Sequence, residues 1–211
     1  MKAKKTLFVA QEMIPYVPET ALAAWGRKLP QLTQESGREI RTFMPKWGII
    51  NERRNQLHEV IRLSGMNLVV DDTDHPLIIK VASITSARIQ IYFIDNDDYF
   101  YRRKGVVDAN GEEYKDNDER SIFFARGVLE SVKKLRWTPD VVHCSGWMSA
   151  LTPLFLKKLY ADTPFFKDTK VILSLDDQEY TTPFSSKFSN KILGGGILNS
   201  DIRTIAGLPV G

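Results

Sequence analysis

Only one cysteine, Cys144, occurs in 211 residues. No intrachain disulfide can form, and a reducing, cytoplasmic compartment is the default expectation. Long apolar runs are missing too, so nothing reads as a bilayer-spanning helix. The basic start at Lys2, Lys4 and Lys5 is followed only by the short stretch Thr6 to Ala10 before Gln11 and Glu12. That is too short for the apolar core of a signal peptide. Nor is there an excess of one charge. The chain has 29 basic and 26 acidic residues, a net +3, too weak and too dispersed to argue for nucleic acid. Gly194, Gly195 and Gly196 are not followed by Lys-Ser/Thr, so they form no phosphate loop. Asp95, Asp97 and Asp98 lack the glycine of a calcium loop, since the sixth position from Asp95 is Phe100. They read as a solvated acidic loop. These absences leave an expectation of no cofactor, no metal, no nucleic acid and no membrane partner.

What is present alternates between strand and helix. Leu7 to Ala10 is a short apolar run and reads as a buried strand. A helix is predicted from about Thr20 to Ser36, with Leu22, Trp25, Leu29 and Leu32 at helical spacing, Thr20 as N-cap and Gly37 as the stop. Pro30 should kink or divide it. Glu39 to Met44 reads as a second strand, and short links imply a parallel pair with a crossover helix. Leu68–Val70, Leu77–Ala82 and Ile89–Ile94 read as strands of an inserted hairpin region, the last placed to rejoin the parallel sheet. Tyr99 to Lys115 is polar, contains Gly105 and Gly111, and reads as a long surface loop. Ile122, Ala125, Val128, Leu129, Val132 and Leu135 mark an amphipathic helix over about 118–136. A strand at Val141–Val142, a helix from about Met148 to Tyr160 and a strand at Lys170–Leu175 complete the pattern. The expected fold is α/β, a doubly wound, mostly parallel, Rossmann-like sheet with a β-hairpin insertion, forming one domain over residues 1–211. Ligands of such sheets sit at the carboxyl ends of the strands. The loops after Ala10, Ile94, Val142 and Leu175 are therefore the candidate site.

Those loops carry text that resembles the opening of bacterial starch/glycogen synthases. Glu12, Pro15, Leu22, Leu29, Pro30, Gly37 and Pro45 fall in step with the family's Glu-x-x-Pro, Lys-(Thr/Val)-Gly-Gly-Leu, Leu-Pro helix and Pro-ended second strand. YFIDNDDYFYRRKG is similar to the family's Ile-Asp strand end and following loop, and Asn117 and Arg120 match its Asn-x-x-Arg helix. Pro139, Asp140, His143 and Trp147 match its Pro-Asp-x-x-His-x-His-Asp-Trp signature. The resemblance runs in order over nearly the whole chain. It implies the N-terminal half of a two-domain GT-B glycosyltransferase, without the second, donor-nucleotide domain. The family reaction it implies is retaining transfer of glucose from ADP-glucose to an α-1,4-glucan.

The departures fall on charged and glycine positions. Pro18 stands for the family lysine, and Thr20 and Ala21 for its paired glycines. Ala24 and Gly146 replace aspartates, Ser145 replaces the second histidine, and Asp176 and Asp177 replace His-Asn. A diphosphate leaving group needs positive charge or aligned N–H donors. The expectation is therefore weak or absent nucleotide-sugar binding and no transfer by this chain alone, with an α-glucan or other saccharide as partner. The alternative is a non-catalytic glucan-binding or regulatory relative. Oligomeric state is not legible in this text. His143 is the catalytic candidate, against a plain strand-end histidine. Glu12, Ser145 and Asp176 are substrate-binding candidates, Glu12 also reading as a closer of its own loop. Trp47 and Tyr101 read as exposed aromatic platforms because both sit in loops. Trp147 reads either as a sugar-stacking ring or as packing at a helix start. Cys144 reads as a small buried residue rather than a nucleophile. Asn117 and Arg120 read as cap and surface pair, and Arg102, Arg103 and Lys104 as a solvated basic run.

Overall fold

A computed structural model describes residues 4–175, 184 and 187–203. In chain order its elements are β1 (Lys5–Ala10), α1 (Ala21–Glu35), β2 (Glu39–Pro45), β3 (His58–Glu59), β4 (Met66–Val70), β5 (Thr73–Ile84), β6 (Ile89–Asp95), α2 (Asn117–Lys134), β7 (Val141–Ser145), α3 (Leu151–Lys157), β8 (Lys170–Ser174), α4 (Phe188–Ile192) and α5 (Asn199–Ile202). The sheet runs β3-β5-β6-β2-β1-β7-β8, with β4 paired to β5. β6, β2, β1, β7 and β8 are parallel. β3, β4 and β6 each lie antiparallel to β5. The inserted hairpins thus end in β6, which rejoins the parallel sheet beside β2.

Register separates the two faces of this sheet. Phe8, Thr42 and Ile91 share one face, and Val9, Phe43 and Tyr92 the other. α1 lies on the Phe8 face, where it shares a cavity with Phe8, Ala10, His143 and Ser145. α2 lies on the opposite face, since Gly127 abuts Ile94 and Leu77 so closely that an added Cβ would sit 3.1 Å from each. α3 packs beside α2. β1 is continuous apolar text, as befits a strand covered on both faces, whereas β7 alternates, with His143 and Ser145 lining the cavity behind α1. Leu7, Val9, Val142 and Cys144 are all fully buried.

The ends of α1 follow from local chemistry. Thr20 Oγ accepts from Ala23 N at 2.9 Å, and Gly37 takes the left-handed conformation at φ 83 that ends many helices. Pro30 does not divide the helix, which continues through it to Glu35. The buried stripe of α1 is Leu22, Ala23, Gly26 and Pro30, whereas Trp25 and Leu32 are exposed. The apolar spacing is thus a stripe wider than the surface that α1 covers. The helix expected over Met148–Tyr160 is instead a 3-10 turn at Trp147–Ser149 followed by the short α3. Pro153 lies in the first turn of α3, where its missing N–H costs nothing.

The segment expected to be a surface loop begins inside the protein. Asp97–Tyr101 forms one π-helical turn, capped by Asn96, with Tyr99 and Phe100 buried. Arg120, fully buried, anchors this turn and the chain leaving it. It donates to Tyr99 O at 2.7 Å, Asn117 Oδ1 at 2.6 Å and Gly105 O at 2.8 Å. Its guanidinium also lies 5.2 Å from the Trp47 ring and 5.1 Å from Tyr114. The expected surface pairing of Asn117 and Arg120 is corrected: both are interior.

Asp95 is not part of a solvated acidic loop either. It is 1% exposed and ion-paired to Lys80 at 2.8 Å. Lys80 also meets Glu52 at 2.7 Å, which meets Lys46 at 2.7 Å. Burial raises the Asp95 carboxyl, and the Lys80 ammonium opposes that rise. Removing one partner of such a group leaves a buried charge uncompensated. Lys80→Met is expected to cost about 3–5 kcal/mol, and the double change Lys80→Met with Asp95→Leu to cost less than the single one. Urea unfolding of both variants checks this.

Candidate functional site

The strand-end loops meet at Gln11, which is 1% exposed. Its N–H donates to Ser145 O at 3.0 Å. Its side-chain Oε1 accepts from Met148 N at 3.0 Å. Its carbonyl accepts from Trp47 Nε1 at 2.9 Å. One residue after β1 thus fixes the loop after β7 and the loop after β2. Two glycines allow the approach. Gly146 has φ 78, and a Cβ there would lie 2.5 Å from Gln11 Cβ. Gly26 in α1 sits where a Cβ would lie 2.1 Å from Glu12 O. Gly48 does the same for the third loop, donating to Arg103 O at 2.6 Å.

At the start of α1, Thr20 Oγ donates to Glu12 Oε2 at 2.8 Å while accepting from Ala23 N. The Glu12 carboxylate is thereby held beside the helix N-terminus, with Gln11 Nε2 3.5 Å from its other oxygen. Pro18 is exposed in the same loop. Glu12 is half-buried, and its carboxylate meets side chains, Thr20 and Gln11, rather than the backbone N–H groups of its own loop.

Behind α1 lies a cavity of ≈ 560 Å³. Its floor is formed by alternate residues of three strands: Phe8 and Ala10 of β1, His143 and Ser145 of β7, and Ser174 of β8. Its wall is α1, from Ala21 through Trp25 to Pro30, with Leu175 at the far side. His143 and Ser145 are both 8% exposed. His143 Nε2 is 2.8 Å from Ser174 Oγ. Burial holds the His143 imidazole below its ordinary range, so it is neutral at pH 7 and offers one donor and one acceptor.

Of the other candidate residues, Trp47 is corrected. It is 2% exposed, packed between Gln11, Phe100 and Arg120, and has no free face. A loop position did not mean an exposed ring, because the 99–105 segment folds over it. Tyr101 is exposed, and its ring lies 4.5 Å from Lys46 Nζ and 5.5 Å from Lys80 Nζ. It roofs the ion network away from the cavity. Trp147 is buried against Phe184. Cys144 is fully buried and its thiol is pushed up to about 12 by burial, which excludes a nucleophile at neutral pH. Asp176 lies outside the described residues. The structure therefore brings together His143, Ser145 and Ser174 in one cavity, ties Glu12 to its rim by way of α1, and leaves Tyr101 apart. Sequence reasoning missed Gln11 and Trp25. Gln11 follows the family strand without a charge to draw attention, and Trp25 reads in the sequence as one more residue of the apolar face of α1. Among the described residues no three His, Cys, Asp or Glu side chains are grouped to hold a metal, and no helix is long and apolar enough to cross a membrane.

Comparison with known proteins matches residues 5–202 to the family described as starch synthase catalytic domain. A glycogen synthase of Chlorobium limicola is 42% identical over 172 residues, 81% of this chain and 35% of that protein. The glycogen synthase of Chlorobaculum tepidum is 40% identical over 190 residues, 90% of this chain and 39% of that protein. Among solved structures, the catalytic domain of starch synthase IV from Arabidopsis thaliana, bound to ADP and acarbose, is similar with a TM-score of 0.69 at 19% identity. It covers 82% of this chain, which spans 34% of that one. At that identity the likeness speaks for the fold. The chain thus spans well under half the length of the relatives it matches.

Two outcomes are expected at this site. Gly146→Asp, which writes back the aspartate of the resembled signature, should destabilise by about 1–3 kcal/mol, because it forces a side chain into a glycine conformation; urea midpoints measure it. His143 has a folded pKa below the unfolded value of 6.5. The unfolded chain therefore binds the proton first, so this residue's contribution is intact above about pH 6.5 and is lost as pH falls toward the folded pKa. His143→Gln should show a shallower loss of stability than the parent across that window, read from denaturation midpoints at stepped pH.

Proposed function

The chain belongs to the starch synthase catalytic-domain family, and from that premise we propose that it is the N-terminal, acceptor-side half of an ADP-glucose-dependent α-glucan glucosyltransferase. It binds neutral glucan and does not transfer glucose by itself. The observation that carries this reading is the chemistry at the start of α1. The donor's diphosphate needs cations or free N–H groups there. This loop instead presents Pro18, a Thr20 hydroxyl already engaged, and the Glu12 carboxylate. Among the described residues, the cavity beside it has no charged side chain in its lining, which suits an uncharged sugar. The starch synthase IV domain was solved with both ADP and acarbose. Of that pair, the saccharide is the ligand this half can accept unaided. The chain acts as one domain in this reading, and the donor nucleotide is held elsewhere. A cytoplasmic setting goes with it, since the single thiol is buried and unpaired.

The isolated chain is expected to incorporate no glucose from labelled ADP-glucose into glycogen above a heat-killed control. ADP should bind weakly or not at all by calorimetry. Pro18→Lys combined with Thr20→Gly and Ala21→Gly should raise ADP affinity, the lost Thr20 cap costing only a few tenths of a kcal/mol. Turnover by the unaltered chain, or micromolar ADP affinity, would overturn the proposal.

A further inference from the structure

α1 has a second flank. Leu22, Trp25, Leu29 and Pro30 turn toward the cavity of His143. Arg27 and Gln34 turn the other way, toward the 3-10 turn Thr85–Ala87 that links β5 to β6. Arg27 Nη2 donates to Ser86 Oγ at 3.3 Å, and Gln34 Nε2 to Arg88 O at 2.9 Å. On this flank lies a separate cavity of ≈ 340 Å³, within the size range of small-molecule sites. Three segments frame it: Pro15 and Tyr16 after β1, residues 54–56 after β2, and residues 83–86 at the end of β5 and in the turn beyond it. It shares no lining residue with the cavity behind α1. We propose that this second cavity binds a small phosphate-bearing anion, held by Arg54 and Arg27.

The charge of the lining is one-sided. Among the described residues Arg54 is its single charged side chain, and the polar side chains around it, including Gln56, Ser83, Thr85 and Ser86, can all donate hydrogen bonds. Arg54 is held through its backbone N–H, which donates to Asn51 Oδ1 at 2.8 Å, and its guanidinium has no carboxylate partner among the described residues. Arg27 reaches the rim at Ser86. It is half-buried and its hydrogen-bond partners are neutral, Ser86 Oγ and Gln31 Oε1, the latter 3.3 Å from its Nε. A cation drawn partly out of water against neutral groups is left uncompensated, which is costly. An oxyanion in the cavity would offset that cost with charge-assisted hydrogen bonds.

Tyr16 adds a donor to the same place. Its ring is 6% exposed, packs edge-on against Phe93 and lines the cavity. Burial pushes its hydroxyl up to about 12, and the Arg27 charge opposes that rise. The phenol therefore stays protonated at neutral pH and donates instead of adding a negative charge.

This donor set selects the ligand class. With no carboxylate in the lining among the described residues, an ammonium group finds no counter-ion. A neutral sugar would leave both guanidinium charges as they are. A phosphate group has enough acceptor oxygens to meet two planar guanidinium forks and the hydroxyls together. Arg54, Thr85 and Ser86 are exposed, so the attraction is screened by salt and the expected affinity is millimolar. Binding of that strength leaves the reading of the donor loop untouched, since that reading is lost only at micromolar ADP affinity.

The test is NMR titration of the isotope-labelled full chain with inorganic phosphate and with glycerol phosphate, at constant ionic strength, with sodium chloride as control. The amides of Asn55, Gln56, Thr85 and Ser86 and the Arg27 Nε–H should shift with both phosphates, and those of His143 and Ser174 should stay in place. Equal affinity for the two probes supports a site that reads the phosphate group alone, and tighter binding of the ester supports one that also holds the body of the ligand. Arg54→Gln should weaken binding about 3- to 10-fold, Arg27→Gln by a similar factor and Arg27→Lys by less. Arg54 is exposed, so Arg54→Gln should keep the parent's dispersed spectrum and serves as the test even where an Arg27 variant loses stability. Shifts matched by sodium chloride, unchanged affinity in Arg54→Gln, or no shift at these amides in millimolar phosphate would each overturn the proposal.

Discussion

The arrangement at the carboxyl end of the sheet depends on one side chain and its backbone. Gln11 donates to the loop after β7, accepts from the first turn beyond it, and accepts from the indole of the loop after β2. All of these groups are buried, where each unmade hydrogen bond would cost about 1–3 kcal/mol. Satisfying them at one point leaves little freedom for the loops to move separately. The close glycines then follow as consequences. Gly146 must be bare because Gln11 lies against it, and Gly26 must be bare because the Glu12 carbonyl does. The site is built from backbone fit first and chemical groups second.

A second constraint acts at the other side of the strand ends. Arg120, Lys46, Lys80 and Asp95 are all interior or nearly so, and their partners come from widely separated segments. Arg120 takes carbonyls from Tyr99 and Gly105, so the loop before α2 is shaped by hydrogen bonding to a cation rather than by its own turn propensity. Trp47 fills the space above that cation. The same arrangement closes the β2 and β6 end of the cleft and, among the described residues, leaves the β1, β7 and β8 end open. The open side is the one that carries His143, Ser145 and Ser174.

Much of the fold was legible as text. The β1–α1–β2 unit, the Thr20 cap, Gly37 at the helix end, the hairpin insertion and α2 all follow from local rules, and the ordered motifs placed the chain in its family. What escaped was of another kind. That Trp47 is buried depends on Phe100 and Arg120, which are distant in sequence. That Asp95 is paired depends on Lys80 across an antiparallel strand. Periodicity put Trp25 on the inner face of α1, but the extent of that face is set by which strands the helix covers. Gly146 looked like the loss of a carboxylate; its positive φ shows a backbone requirement. Cavities and long-range ion pairs are properties of surfaces brought together, and single-residue propensities do not encode them.

The edge of β8, bare among the described residues, bears on how the protein behaves in a crowded solution. Ile172 and Leu173 are exposed on β8, Leu175 is exposed just past it, and the strand pairs with β7 alone among the described strands. Such an edge offers unpaired amides and apolar side chains, the template on which chains add to one another into aggregates. The sequence brackets it with charge, Lys170 at the start and Asp176 and Asp177 just past the end. Charged residues flanking an apolar strand act as gatekeepers against that growth. The aspartates that would repel a diphosphate thus have a second physical consequence, which is colloidal: they limit the stretch of β8 that another copy could pair with.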